Sequence, residues 1–290
     1  MEIISARELS QYLRINEKKV YKLVQESKIP HIKIGGKIAF VREIVDRWIL
    51  ENTERENHIY IAGSDDILLK RIIDLNNKAM PYKVFYAPIG SINGLKMLNE
   101  NAATISCVHI LDMEKKSYTL SYIKRYLTNG EYIVIQLFMR EQGLYIKRDN
   151  PKSISGLGDL SRPDILFVNR NQGSGTRLLF DFLLKENQID PLNIKGYNNE
   201  SVSHLHTGLS VLRGEADAGF GIMYIAHLLG LEFIPLFKER FDMVIPREYF
   251  YQRHVKEFIS SFEQPAITTR IRDFTGYNME NAGGILYQGE

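Results

Sequence analysis

Seven short apolar runs recur from residue 59 onward, with polar or helix-forming sequence between them: IYIAG, VFYAP, TISCVHI, YIVIQLF, DILFV, AGFGI and FIPLF. Each run is the length of a buried strand. The stretches between, such as DILLKRIIDLNNK (66–78) and INGLKMLNENA (92–102), carry apolar residues three and four apart. Buried strands alternating with amphipathic helices specify an α/β fold with a mostly parallel sheet. No internal repeat or low-complexity tract breaks the pattern, and no apolar run reaches the roughly 18–20 residues of a membrane span.

In such a sheet, ligands sit beyond the carboxyl ends of the strands. Three strand-to-helix turns are therefore candidate site elements: IAGSDD (61–66), APIGS (87–91) and NRNQGSGTR (169–177). The third gathers the hydroxyls of Ser174 and Thr176, the amide of Gln172, the guanidinium of Arg177 and several backbone N–H groups at one helix start, a ready anion site. It lacks the Gly-Lys-Ser/Thr of a nucleotide-hydrolysing loop and the spacing of a dinucleotide fingerprint. Ser174, His204 and Asp217 allow a nominal catalytic triad, but nothing orders them as nucleophile, base and orienter. The histidines show no metal spacing beyond His204-x-His206. The single cysteine, Cys107, has no disulfide partner and no cysteine-rich metal site to join. No catalytic residue and no metal site are expected, so the chain reads as a binder and not as an enzyme.

The first 57 residues have a different texture. They hold 11 Lys/Arg against 9 Asp/Glu, which is the whole net charge of +2. Helical spacing covers 3–14, with Ser5 as N-cap and Ala6, Leu9, Tyr12 and Leu13 on one face. A second helix follows Asn16, with Val20, Leu23 and Val24 inward. HIKIGGKIAFVR alternates as a hairpin turning on Gly35-Gly36, and a third helix buries Ile44, Val45 and Trp48. ENTERENH is charged and polar, a linker at 53–58. The acids and polar residues of MEIISARELSQYL do not form a signal peptide, so a cytoplasmic protein is expected.

The pattern SARELSQYLRINEKKVYKLVQESKIPHIKIGGKIAFVREIVDRWI resembles the excisionase/MerR-like winged helix-turn-helix family, through its Val-Tyr, Ile-Pro exit, Ile-Gly-Gly-Lys wing tip and final Trp. Residues 1–52 are thus expected to bind double-stranded DNA. Glu17, Lys18, Lys19, Tyr21 and Lys22 occupy the early turns of a recognition helix. Lys33 and Lys37 lie on the wing, and Arg14 and Arg42 are candidates for backbone contacts. One module makes few contacts, so a homodimer on two half-sites is expected.

Residues 59–290 resemble the periplasmic-binding-protein-like domain fused to winged-helix regulators and to molybdopterin-biosynthesis proteins of the MoeA type. IGSINGL, VHILD, REQGLYI, VNRNQGSGTRLLFD, VSHLHTGLSVLRGEADAGFGI and IPLFKERFDMVIPREYF carry the match, and the last two groups also resemble LysR-type effector domains. The resemblance implies a type 2 two-lobed fold, lobe one at about 59–136 and 237–290 and lobe two at about 137–236. It marks His204 over His206 as a ligand contact. Arg140 and Glu141 fall near the lobe crossover, as cleft residues or as an inter-lobe salt bridge. Ser64, Asp65, Ser91 and His109 complete the candidate ligand set.

These features together lead us to expect a one-component transcription regulator with a small anionic effector, which the family resemblance ties to molybdenum or tungsten metabolism. Molybdate or tungstate satisfies Arg177, Arg140 and the GSGT turn. A molybdopterin-type pterin phosphate also satisfies Asp65, if that carboxylate faces the cleft. Two alternatives stay open: an enzyme or carrier acting on a molybdopterin-like substrate, and an excisionase-like recombination accessory.

Overall fold

A computed structural model of the protein describes residues 2–52, 58–109, 111–112, 117–118, 123, 125–127 and 131–288. The expected linker lies outside the described residues except for His58. The chain forms two compact units, residues 1–57 with 248–257, and residues 58–247 with 258–290. The segment 248–257, expected in the large domain, thus groups with the small one, where Arg47 stacks 4.9 Å from the Tyr251 ring.

In the small unit, Ile3–Ser5 is a strand, β1, and not the start of a helix. Its two β-branched isoleucines suit a strand, and it pairs antiparallel with Lys37–Val41 (β3), the second strand of the hairpin begun by Ile32–Ile34 (β2). Gly35 and Gly36, at φ 56° and 81°, make the left-handed turn that joins them. Ser5 caps Ala6–Tyr12 (α1) in a reciprocal box with Glu8, and Asn16 caps Glu17–Gln25 (α2), accepting from Lys19 N at 2.8 Å. Leu9, Val20, Val24, Phe40 and Val45 form the core under Arg42–Glu51 (α3). Two residues expected inside lie outside: Ile44 is 44% exposed and Tyr12 40%. The Tyr12 hydroxyl donates to Asp46 at 2.7 Å, which holds its ring at the surface.

In the large unit, His58–Gly63 (β4), Ile67–Ala79 (α4), Lys83–Pro88 (β5), Ser91–Asn99 (α5) and Ile105–Val108 (β6) follow the expected alternation. After the small pair Leu111–Asp112 (β7) and Ser117–Tyr118 (β8) comes a long strand, Tyr132–Ile146 (β9). Phe167–Arg170 (β10), Gly175–Glu186 (α6), Glu200–Ser201 (β11), His204–Leu212 (α7), Ala218–Ile222 (β12) and Met223–Leu229 (α8) build the next layer, and a second long strand, Glu232–Pro246 (β13), returns. Tyr277–Asn278 (β14) and Ile285–Gln288 (β15) add to β9.

The sheet runs β11-β10-β12-β9-β13-β6-β4-β5. It is mixed rather than mostly parallel: β4 pairs parallel with β5 and β6, and β10 with β11 and β12, while β9 and β13 run antiparallel along their length. The early residues of β9 lie beside β15 and the late residues of β13 beside β6, while the late residues of β9 lie beside β12. Two antiparallel crossovers therefore join two lobes, each with its own core. One core holds Leu95, Val134 and Val244, the other Leu144, Phe167, Phe180 and Phe220.

Candidate functional site

The carboxyl ends of the parallel strands in both lobes converge on one cavity of about 170 Å³. Its walls come from the turn after β4 (Ser64, Asp65), the turn before α5 (Pro88, Ile89, Gly90), His109 after β6, the end of β10 (Arg170, Asn171), the start of α6 (Ser174, Gly175, Thr176) and the segment entering α7 (Val202, His204). Six residues expected from sequence, Ser64, Asp65, His109, Ser174, Thr176 and His204, are brought together here.

Two of the walls are helix starts whose caps fix the geometry. The Ser174 hydroxyl accepts from Arg177 N at 3.1 Å and starts α6 at the cavity wall. Gly90, at φ 89°, has no side chain to obstruct the approach of Gly173, whose carbonyl would lie 3.2 Å from an added Cβ. At Gly175 an added Cβ would come within 2.5 Å of His109 Cε1, so this glycine lets an imidazole from one lobe rest against a helix of the other.

The remaining expected ligand residues lie elsewhere. Arg177 is buried, but it faces its own helix and strand: Nε pairs with Asp181 at 3.1 Å, Nη1 donates to the Arg170 carbonyl at 3.2 Å, and Tyr197 stacks on it at 4.1 Å. It does not line the cavity. Ser91 sits behind Ser64, to which its hydroxyl is hydrogen-bonded. Glu141 lies 3.5 Å from the Lys238 ammonium, and Gln172 is exposed. Asp217 accepts from Leu166 N at 2.8 Å and Ser174 is a helix cap, so no triad forms with His204.

Arg140 belongs to the crossover. Its Nη1 meets Asp66 Oδ2 at 2.6 Å, its Nε is bonded to Glu239 directly across the β9–β13 pair, and its guanidinium lies 4.7 Å from the Phe241 ring. Glu239 also accepts from His109 Nδ1 at 2.9 Å and from Gln142 Nε2 at 2.6 Å, and Asp66 from the Tyr277 hydroxyl at 2.7 Å. Burial opposes the charge on Glu239, but Arg140 and His109 outweigh it and hold its carboxyl down to about 2. Asp66 also caps α4, accepting from Leu69 N at 2.8 Å. Asp65 does face the cavity, and Lys70 binds its carboxylate at 2.6 Å.

One cavity residue was missed by sequence reasoning and stands out on chemistry. Arg170 is 3% exposed. Its Nη2 donates to the Val202 carbonyl at 3.2 Å, while Nη1 has no acceptor among the described residues. No carboxylate pairs with it among them, and burial lowers its pKa. The signal was its place as last residue of a parallel strand, where side chains reach the crevice. No cluster of metal ligands occurs among the described residues.

In the small unit, Arg14, Glu17, Lys18, Lys19, Tyr21, Lys22, Lys33 and Lys37 are all exposed. Lys22 makes a surface pair with Glu26 at 3.7 Å. Arg42 is half-buried and already engaged, its guanidinium 3.6 Å from the Tyr12 ring centroid and 3.4 Å from Asp46.

A helix-turn-helix unit ahead of a two-lobed domain with a buried polar cavity defines a ligand-binding, DNA-binding regulator, and both parts match known domain types. Residues 3–53 match a helix-turn-helix domain and residues 74–263 the PBP superfamily domain. The chain belongs to the PBP superfamily. These domains are typical of regulators and binding proteins rather than of enzymes. An uncharacterized protein of Bacillus subtilis (strain 168), YvgK, is 27% identical over 97% of this chain and 96% of its own length. Two solved structures share the fold of the large domain. The ABC-type phosphate transport receptor of Vibrio cholerae has a TM-score of 0.54 at 16% identity, covering 76% of this chain and 99% of its own. The tungstate ABC transporter protein of Geobacter sulfurreducens has a TM-score of 0.54 at 15% identity, covering 76% and 100%. No helix among the described residues is long and apolar enough to cross a membrane.

Proposed function

We propose that the protein is a one-component transcription regulator whose cavity takes a tetrahedral oxyanion, molybdate or tungstate, as effector. Arg170 carries this assignment: it is a buried guanidinium at the cavity wall with one donor unused and no carboxylate partner among the described residues. Such a group favours an anion in the cavity. The N-termini of α5 and α6 and the hydroxyls of Ser64, Ser174 and Thr176 add donors suited to oxyanion oxygens.

Size favours the smaller of the two ligand classes left open by the sequence. A dry cavity of about 150 Å³ accepts benzene, and this cavity is about 170 Å³. A tetrahedral oxyanion fits within it, whereas a pterin phosphate has several times the heavy atoms of benzene. A carboxylate on the cavity wall, Asp65, repels a bare dianion, but Lys70 offsets its charge. Anion binding then favours the closed pair of lobes, and a homodimer passes that preference to two DNA half-sites. A differential affinity of about 1–3 kcal/mol is enough for such coupling.

A thermal-shift panel of molybdate, tungstate, sulfate, phosphate and a molybdopterin-type pterin tests the assignment. At 100 times its dissociation constant a ligand stabilises by about 2.7 kcal/mol. A shift with molybdate or tungstate that disappears in Arg170→Ala is the expected result. A shift with the pterin alone rules out the oxyanion assignment.

A further inference from the structure

The charges around the cavity balance before any anion enters. In the turn after β4, Asp65 is paired with Lys70 at 2.6 Å. Behind it, Arg140 lies between Asp66, at 2.6 Å, and Glu239. Arg170 on β10 completes three cations against three carboxylates. A doubly charged oxyanion placed among these groups brings negative charge into a buried space with no surplus positive charge to meet it. Unpaired charge in such surroundings is costly.

Two imidazoles line the same space, and they differ in what faces them. His109, 4% exposed, already has the Glu239 carboxylate on Nδ1 at 2.9 Å, the Phe241 ring stacked at 5.6 Å and Gly175 against its edge. His204, 3% exposed, is the first residue of α7. From α6, Thr176 Oγ1 stands 3.5 Å from its Nε2. On the β12 and β9 side, an added Cβ at Gly221 would lie 2.8 Å from His204 Nδ1, and the Tyr145 hydroxyl is committed to the Ile222 carbonyl at 3.0 Å. Nδ1 has no partner among the described residues. The largest charged or titrating influences on the ring come from Arg170, Arg140, His109 and Lys70; Asp65, the carboxylate on the same cavity wall, is paired with Lys70. Burial first, then Arg170 and Arg140, keeps the ring neutral, with its pKa well below the ordinary value.

We propose that an oxyanion entering this cavity binds together with one proton taken up by His204, so that the regulator responds jointly to the anion and to pH. This rests on the oxyanion assignment above. The anion supplies the counter-charge that His204 lacks, and the imidazolium supplies the positive charge that the cavity lacks. The proton comes from solvent and binds a ring nitrogen, with no covalent change to the anion. His109 differs in its contacts: Glu239 already occupies its Nδ1 and Phe241 its face, while Nδ1 of His204 has no partner among the described residues.

Titration calorimetry with molybdate, tungstate and sulfate tests this, because these anions carry no proton between about pH 6.5 and pH 8.5 and any slope belongs to the protein. Affinity is expected to weaken as pH rises through this window, by up to about tenfold per pH unit for one proton. The binding heat at fixed pH is expected to differ between two buffers of unlike ionisation enthalpy. His204→Gln flattens the slope, and His109→Gln keeps it. Binding with a flat profile and a heat independent of buffer overturns the inference while leaving the oxyanion assignment standing. Absence of binding by every one of the three anions overturns both. The two-buffer comparison on the wild-type protein decides the matter even if a histidine variant fails to fold.

Discussion

Two arginines seven positions apart have opposite surroundings. Arg177 has a carboxylate, a carbonyl and an aromatic face, and is 5% exposed. Arg170 is as deeply buried, yet one of its donors is unused at the cavity wall. Truncating one partner of a buried charged contact costs about 2–5 kcal/mol. Arg170→Ala is therefore expected to weaken oxyanion binding at least about thirtyfold by calorimetry. Arg177→Ala is expected to leave that affinity largely in place and to lower stability by about 1–3 kcal/mol, read by chemical denaturation, because it removes the buried ion pair with Asp181 and the stack on Tyr197 and leaves those two only their mutual hydrogen bond. The opposite pattern would return the anchor to Arg177. The sequence pointed to Arg177 because a cation on the first turn after Gly-Ser-Gly matches the chemistry of an anion nest. Arg170 stood in the same stretch, but the apolar run DILFV ends before it, and only the observed strand, which continues to Arg170, turns its side chain to the crevice. Asp65 was legible as a cleft candidate. The ammonium that offsets it, five residues on, was not.

Helix starts were the most legible elements, because their caps are chemically explicit. Ser5, Asn16 and Ser174 all accept from the backbone N–H three residues on, as their residue types demand. The strand β1 was less legible, since three residues give too little alternation to compete with helical spacing. The mixed character of the sheet was hidden for a related reason: both long strands are apolar runs interrupted by charges at their crossover, Arg140 and Glu239. At the level of elements, the meeting of α6 with the loop after β6 depends on Gly175. The His109 ring it contacts is held by Glu239 and stacked on Phe241, so it has little freedom to withdraw. Gly175→Ala is expected to hinder lobe closure and weaken anion binding at least tenfold, about 1.4 kcal/mol, with near-native circular dichroism. Unchanged affinity would show that the contact yields. On the recognition helix, Lys18→Ala is expected to weaken DNA binding across sequences and reduce the salt slope by about 1, without altering anion affinity. Arg42→Ala, which removes the stack on Tyr12, is expected to act on the stability of the small unit more than on the salt slope.

For the whole molecule, the polar groups at the crossover make stability depend on pH with a sign that can be worked out. Glu239 is held at about 2, below the roughly 4.3 of an unfolded glutamate. Its contribution is present above that unfolded value and is lost as pH falls toward about 2. His109 and His204 are depressed by burial. The unfolded chain therefore takes up their protons near about pH 6.5 while the ligand-free fold does not. Stability is lost as pH falls below about 6.5, by up to about 1.4 kcal/mol per pH unit for each histidine, until the folded pKa values are reached. Denaturation of the ligand-free protein between about pH 7.5 and pH 5 should show this decline, and His204→Gln should remove its share. A flat profile would mean that both rings are already charged or solvated in the folded protein. Sulfate, which carries no proton over this range, should oppose the decline if it binds, because a bound anion allows His204 to hold its proton in the folded state. The same linkage predicts a direction of response. On the proposed linkage, acid conditions are expected to destabilise the empty cavity and strengthen anion binding, so the difference between the two states offered to the DNA-binding unit is expected to widen as pH falls.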